Sequence, residues 1–388
     1  MLSFAAAPKI VLAAGGTGGH VFPAAALAKA LIARGAEVVL MTDARGGVYQ
    51  GVPTGVEIHR IRSKGFAGKG FLGRLTSIPQ LGVGVLQARA LLGRIKPRLA
   101  VGFGGYASLP PLVAANWLGI PTVVHEQNAI LGRANRLLAK KAEGIAISFA
   151  KTGMIPDGSE NRVRHVGMPV RDSVLSARNV DYPTITDEGP IRILIMGGSQ
   201  GARVLSEVAP TALNGLPEHL KARLSVVQQC RPEDLDGVRA AYAESGVRAE
   251  LSVFFDDIPE RMAACHLMIA RSGASSTAEA LAIGRPAVLV PYRFAIDDHQ
   301  SANAHAVDDC GAGWLMEQES FDADALAERL VGLFSLPKTL LLAASNAKRN
   351  GRPDAAERLA DMVFDLIGAD GNGKDTDNPD KTNNEEAA

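Results

Sequence analysis

His20 ends a run, Gly15, Gly16, Thr17, Gly18 and Gly19, in which almost no Cβ atoms keep the backbone away from a ligand. Amides at a helix start, helped by the helix dipole, suit a phosphate there. The same dipole favours an uncharged imidazole, so His20 can take a proton from a hydroxyl. Without a ligand, the same residues make only a tight strand-to-helix turn with a polar finish. A second turn of this kind, Gly197, Gly198, Ser199, Gln200 and Gly201, comes some 180 residues later. A third helix start follows Arg271 and Gly273. It offers the amides and hydroxyls of Ala274, Ser275, Ser276, Thr277 and Ala278, then Glu279, a carboxylate able to accept both hydroxyls of a ribose. Capping of an acidic-faced helix explains the same residues. His125, Glu126, Gln127 and Asn128 close another strand, and their polar groups are expected to project into the same cleft, one of them onto a sugar.

These residues need a frame that brings strand ends together. Strand-like runs at 9–14, 36–42, 98–103 and 122–125 alternate with helical ones, the first at about 20–34. The pattern restarts at 191–196, 224–229, 266–270 and 287–291. The fold class is therefore α/β, two Rossmann-like doubly wound domains facing across a cleft. The expected division is 1–165 and 166–367, with a linker at about 179–190, a last helix free to pack back on the first domain, and a polar, disordered tail at 368–388.

The chain of 388 residues is 47% hydrophobic and 21% charged, as a soluble protein with two cores should be. Its net charge of zero hides a division: residues 1–165 hold 20 Lys or Arg against 7 Asp or Glu, and the remainder is acidic to the same extent. In the segment 64–98, Phe71, Leu75, Ile78, Leu81 and Val85 recur at near-helical spacing among Lys64, Lys69, Arg74, Arg89, Arg94, Lys96 and Arg98. Such a surface suits anionic phospholipid, or the stripe is core packing, and Pro79 is expected to interrupt the helix. No window is long and apolar enough to span a bilayer and the start lacks a basic signal-peptide region, so a cytoplasmic location is expected. Cys230, Cys265 and Cys310 have no metal-ligand spacing, and Asp234/Asp236, Asp322/Asp324 and Asp375/Asp377 fall at helix starts or in the tail. No metal, cofactor or nucleic acid is expected.

Three other readings compete. Gly197-Gly198-Ser199-Gln200-Gly201 matches the nucleophile elbow of serine hydrolases, with Asp297, His299 and His305 downstream, but leaves the first glycine loop without work. A nicotinamide oxidoreductase would use the first loop and Asp43, yet the fingerprint fails where Val21 stands in place of glycine. A non-catalytic nucleotide-binding module needs no His20.

The ordered set GGTGGHVFPA, FGGYAS, HEQN, GMPVR, GGSQGAR, FFDDI, RSGASSTAE and the segment 297–304 resembles the MurG family of lipid I N-acetylglucosaminyltransferases over all but the tail. The resemblance implies a GT-B fold and inverting transfer from UDP-N-acetylglucosamine (UDP-GlcNAc) to undecaprenyl-pyrophosphoryl-MurNAc-pentapeptide, lipid I. It implies a role in peptidoglycan synthesis and cell division beside other cell-wall or division proteins, on the cytoplasmic face of the inner membrane. Carried over by position, Thr17, Gly18 and Gly19 contact the donor and Asn128 lies near its sugar. Arg171 and Ser199 lie near the diphosphate, Phe255 near uracil, and Ala274 to Glu279 around the nucleoside. His299 and Gln300 bind GlcNAc hydroxyls. His299 stands where the family has glutamine, Ser275 replaces a bulkier apolar residue, and Met168 replaces asparagine. His20 is the expected general base, with Glu126 in reserve. A UDP-GlcNAc 2-epimerase would use the same donor cleft without a lipid.

Overall fold

The computed structural model describes residues 7–15, 18–43, 51–63, 71–198 and 201–372, with the backbone alone for 71–79 and 369–372. The first sheet holds β1 (Lys9–Ala13), β2 (Glu37–Thr42), β3 (Glu57–Arg60), β4 (Leu99–Gly102), β5 (Thr122–Glu126), β6 (Gly144–Ile147) and β7 (Val163–His165). All pairs are parallel, in the order β3-β2-β1-β4-β5-β6-β7. The second holds β8 (Ile191–Met196), β9 (Leu224–Gln229), β10 (Arg248–Ser252), β11 (Leu267–Ala270), β12 (Ala287–Leu289) and β13 (Gly313–Leu315). It is also parallel, in the order β10-β9-β8-β11-β12-β13. Central strands read as unbroken apolar runs because helices cover both faces; Ile10, Val11, Leu12 and Ala13 are at most 1% exposed.

On one face of the first sheet lie the helices Gly18–Ala33 and Ala355–Asn372; on the other lie Phe71–Ile95, Gly105–Trp117 and Arg133–Ala139. The chain crosses between domains at 166–170, since Val166 belongs to the first core and Val170 to the second. The segment 179–190 is packed rather than loose. Tyr182 and Ile185 lie against the second core, and the carbonyls of Val180 and Asp181 accept from the buried guanidinium of Arg285. The chain crosses again before Ala355–Asn372, which puts Leu359, Met362, Val363 and Ile367 into the first core. Arg34 pairs there with Glu357 and Asp361, and Arg164 with Asp365.

Two expectations change. Phe71–Ile95 runs through Pro79 without a break; an interior proline forfeits one hydrogen bond and strains the turn, yet a long helix packed on a core can continue past it. Of its stripe, Val85 is in the core and Leu81 packs on it; Val83 and Leu86, which are not part of that stripe, face outward, and Lys64 and Lys69 lie outside the described residues. Asp322 caps Ala323–Ser335 by accepting from the Ala325 N–H at 2.8 Å. Asp234 also precedes a helix but is occupied by Arg231.

Candidate functional site

In each sheet the strand order reverses between two neighbours of equal register, β1 with β4 and β8 with β11, and there the loops diverge to leave a crevice. The first glycine loop follows β1 and the second follows β8; Thr17 and Ser199 themselves lie outside the described residues. Several of the described glycines leave no room for a side chain or adopt a backbone that disfavours one. A Cβ on Gly15 would sit 2.6 Å from that of Ala107, and one on Gly18 would sit 2.7 Å from the Phe22 ring. A Cβ on Gly197 would strike the backbone of Gly201 and Ala202, while Gly198 and Gly201 have φ of 77° and 68°. Gly104 and Gly105, also at positive φ, start Gly105–Trp117 beside His20: a Cβ on Gly105 would lie 3.4 Å from His20 Nε2.

The four residues that close β5, His125 to Asn128, do not all face the cleft. His125, Glu126 and Gln127 are at most 3% exposed, and Asn128 alone is partly open. Their burial follows from internal partners. Glu126 Oε1 accepts from the N–H and side-chain amide of Asn128, and Oε2 from the Gly132 N–H and Asn135 Nδ2, both at 2.8 Å. A carboxylate engaged four ways organises its loop, which is poor geometry for a reserve base. His125 Nε2 donates to the Gly167 carbonyl at 3.0 Å, and burial pushes its pKa down to about 4. Gln127 donates to His125 Nδ1 and to the Phe103 carbonyl, each at 3.0 Å, and its Oε1 lies 3.2 Å from His20 Nδ1.

On the second rim, Arg171 Nη2 donates to Glu279 at 3.1 and 3.3 Å, and burial raises that carboxyl's pKa against the guanidinium's opposing pull. The diphosphate contact assigned to Arg171 is thus taken here by Glu279. The Arg171 guanidinium also stacks 4.7 Å from the Phe22 ring, two residues past His20. Glu279 lies in Ala274–Ile283, where Thr277 is buried and Ala274, Ser275, Ser276 and Ala278 are half-open. Phe255 is 8% exposed beneath the Arg261 guanidinium at 4.2 Å, whereas Phe254 beside it is 67% exposed. His299 donates from Nδ1 to the Ile296 carbonyl, and Gln300 Oε1 accepts from the Tyr292 N–H; both ride the first turn of His299–Asp309.

Asn303, absent from the sequence reading, joins the rims. Its Oδ1 accepts from the Ala129 N–H at 2.8 Å, and its Nδ2 donates to Asn128 Oδ1 and to the Ser272 carbonyl. Asp297 takes Arg133 and Arg136 from the first domain, which hold its carboxyl below the usual range. That commitment removes it as the orienting acid of a serine triad. The only sequence signal for Asn303 was an amide one turn after Gln300 on a short helix.

The glycosyltransferase family 28 N-terminal domain matches residues 10–147, and its C-terminal domain matches 192–359. The UDP-N-acetylglucosamine--N-acetylmuramyl-(pentapeptide) pyrophosphoryl-undecaprenol N-acetylglucosamine transferase of Paramagnetospirillum magneticum is 56% identical over 93% of this chain and 97% of its own length. Among solved structures, Acinetobacter baumannii MurG is similar at TM-score 0.75 and 27% identity, covering 92% of this chain and 99% of its own. The UDP-GlcNAc 2-epimerase of Neisseria meningitidis reaches TM-score 0.66 at 14% identity, covering 92% and 100%, a likeness of fold alone.

Proposed function

The chain belongs to glycosyltransferase family 28, and we infer from its 56% identity to a named transferase that it moves GlcNAc from UDP-GlcNAc onto lipid I to make lipid II. The hydrolase and oxidoreductase readings fall with that membership.

In the mechanism, His20 accepts the proton of the acceptor hydroxyl as that oxygen attacks the anomeric carbon from the face opposite UDP. The bond to the diphosphate breaks with its electron pair, so one displacement inverts the centre. Amides after Gly197 and Gly198, with the Arg171 guanidinium, receive the charge that grows on the leaving oxygen. For Arg171 to do so, ribose hydroxyls must replace it as partners of Glu279. Asn128, held by Asn303, and Gln300 with His299 orient the sugar. What supports this arrangement is the placing of His20 and the Arg171–Glu279 pair on facing rims joined through Phe22.

The acceptor is held in a membrane, so the enzyme works as a peripheral protein on the cytoplasmic face of the inner membrane. Among the described residues no single helix is long and apolar enough to cross one. The segments covering one face of the first sheet expose the apolar Val83, Leu86, Trp117 and Leu137 and the basic Arg89, Arg94, Lys140 and Lys141. This pairing of apolar and basic groups suits anionic phospholipid. Leu336, Leu341 and Leu342, exposed on the second domain, offer a separate surface to cell-wall or division proteins.

Labelled GlcNAc should pass from UDP-GlcNAc to a lipid I analogue, with no free 2-epimer in a parallel control. Epimer without transfer would overturn the reading.

A further inference from the structure

We propose that Gln127 is the positioning residue that sets the tautomer of His20, through a chain of neutral hydrogen bonds reaching from the Gly167 carbonyl to the imidazole. The inference rests on His20 being the base.

Direction along the chain follows from what each atom can do. A carbonyl only accepts, so the hydrogen between Gly167 and His125 belongs to His125 Nε2. Burial keeps that imidazole neutral, so its Nδ1 carries a lone pair. The Gln127 amide nitrogen has His125 Nδ1 and the Phe103 carbonyl at 3.0 Å and the His125 carbonyl at 3.2 Å, and its two hydrogens serve these acceptors. Turning the amide over would set its oxygen against all three. The orientation is therefore decided by the network, and Oε1 faces His20 Nδ1 at 3.2 Å. An amide oxygen cannot donate, so His20 Nδ1 holds the hydrogen, and in the neutral ring that a base requires Nε2 has the lone pair. Nε2 is the ring nitrogen beside Gly105, at the crevice between β1 and β4.

The chemistry gains from the partner's being an amide. When the acceptor's proton reaches Nε2, Nδ1–H stays on the amide oxygen, so the ring keeps its aim through the transfer. A carboxylate in that place would also fix the tautomer. It would, however, add a negative charge beside a cleft that must hold a diphosphate.

The test is the full-length protein with 15N-labelled histidine, its His20 ring nitrogens read by NMR. The expected spectrum has Nδ1 protonated and Nε2 bare. Gln127→Leu, similar in size but unable to accept, should shift His20 toward the Nε2–H form and lower kcat by about ten- to a hundredfold, less than loss of the base itself. KM for UDP-GlcNAc should hold within about twofold, since only the proton transfer is disturbed. Gln127→Met also removes the amide oxygen that accepts from Nδ1–H and should shift the tautomer in the same direction, so it decides the matter if the leucine variant does not fold. A wild-type His20 protonated at Nε2, or a folded Gln127→Leu protein with an unmoved tautomer, overturns the proposal. Near-normal turnover in His20→Ala would instead overturn the base assignment while leaving the spectrum as expected.

Discussion

The two sheets share a strand order and a crevice but equip it differently. At the first, His20 faces a chain of buried amide, imidazole and carbonyl groups joined by hydrogen bonds. At the second, a buried carboxylate faces a guanidinium, Glu279 with Arg171. One arrangement suits moving a proton, the other suits exchanging anionic partners. Net charge runs against naive expectation: the half assigned to the doubly charged nucleotide is the acidic one, and the basic excess lies in the other. In the mechanism proposed above, local amides and one arginine hold the donor, which leaves the basic surplus for the proposed lipid surface.

The contrast is broken most sharply by His20→Ala, which should cut kcat by about 10²- to 10⁴-fold while UDP affinity stays put in calorimetry. Next comes acid. Each half buries one histidine with a pKa lowered to about 4, His125 and His266. Between about 6.5 and 4 the unfolded chain binds protons that the folded one refuses, so stability falls as pH drops through that window. For His125 this reaches about 3 kcal/mol. Urea midpoints at pH 7.5 and 5 should differ, and by less in His125→Asn; equal midpoints would contradict the burial argument. Glu279→Gln should then raise KM for UDP-GlcNAc by about tenfold with little change in kcat, as expected for one charged hydrogen-bond partner lost on the second rim. A fall confined to kcat would place Glu279 in the chemistry instead. Smallest is Leu86→Glu, which should weaken binding to anionic vesicles several-fold, on the order of 1 kcal/mol, and leave turnover of a soluble acceptor analogue intact.

The sequence exposed what depends on residue type alone. Central strands β1, β4, β8 and β11 stand out as apolar runs, and the glycine turns announce close backbone approach. Strands β3, β7 and β10 stayed hidden because edge strands carry charge: Glu57-Ile-His-Arg60, Val163-Arg-His165 and Arg248-Ala-Glu-Leu-Ser252 have no apolar run to detect. β6 and β13 each open on a glycine, Gly144-Ile-Ala-Ile147 and Gly313-Trp-Leu315, which breaks an already short apolar run. In the site, the position of His20 was legible, but its partner was not. The relay uses main-chain carbonyls of Phe103 and Gly167, which no residue type advertises. Asp297 and Arg133, 164 positions apart, likewise meet only once both domains are built.

The return of Ala355–Asn372 to the first domain has a consequence for synthesis. The core around Ile10, Leu27 and Leu99 is sealed by Leu359, Met362 and Val363, made nearly two hundred residues after the last strand of the sheet they cover. A domain finished this way cannot complete its packing until that last helix has been made. Its neighbour, begun later and complete within its own stretch of chain, is ready first, so the half that is translated earlier is the half that matures last.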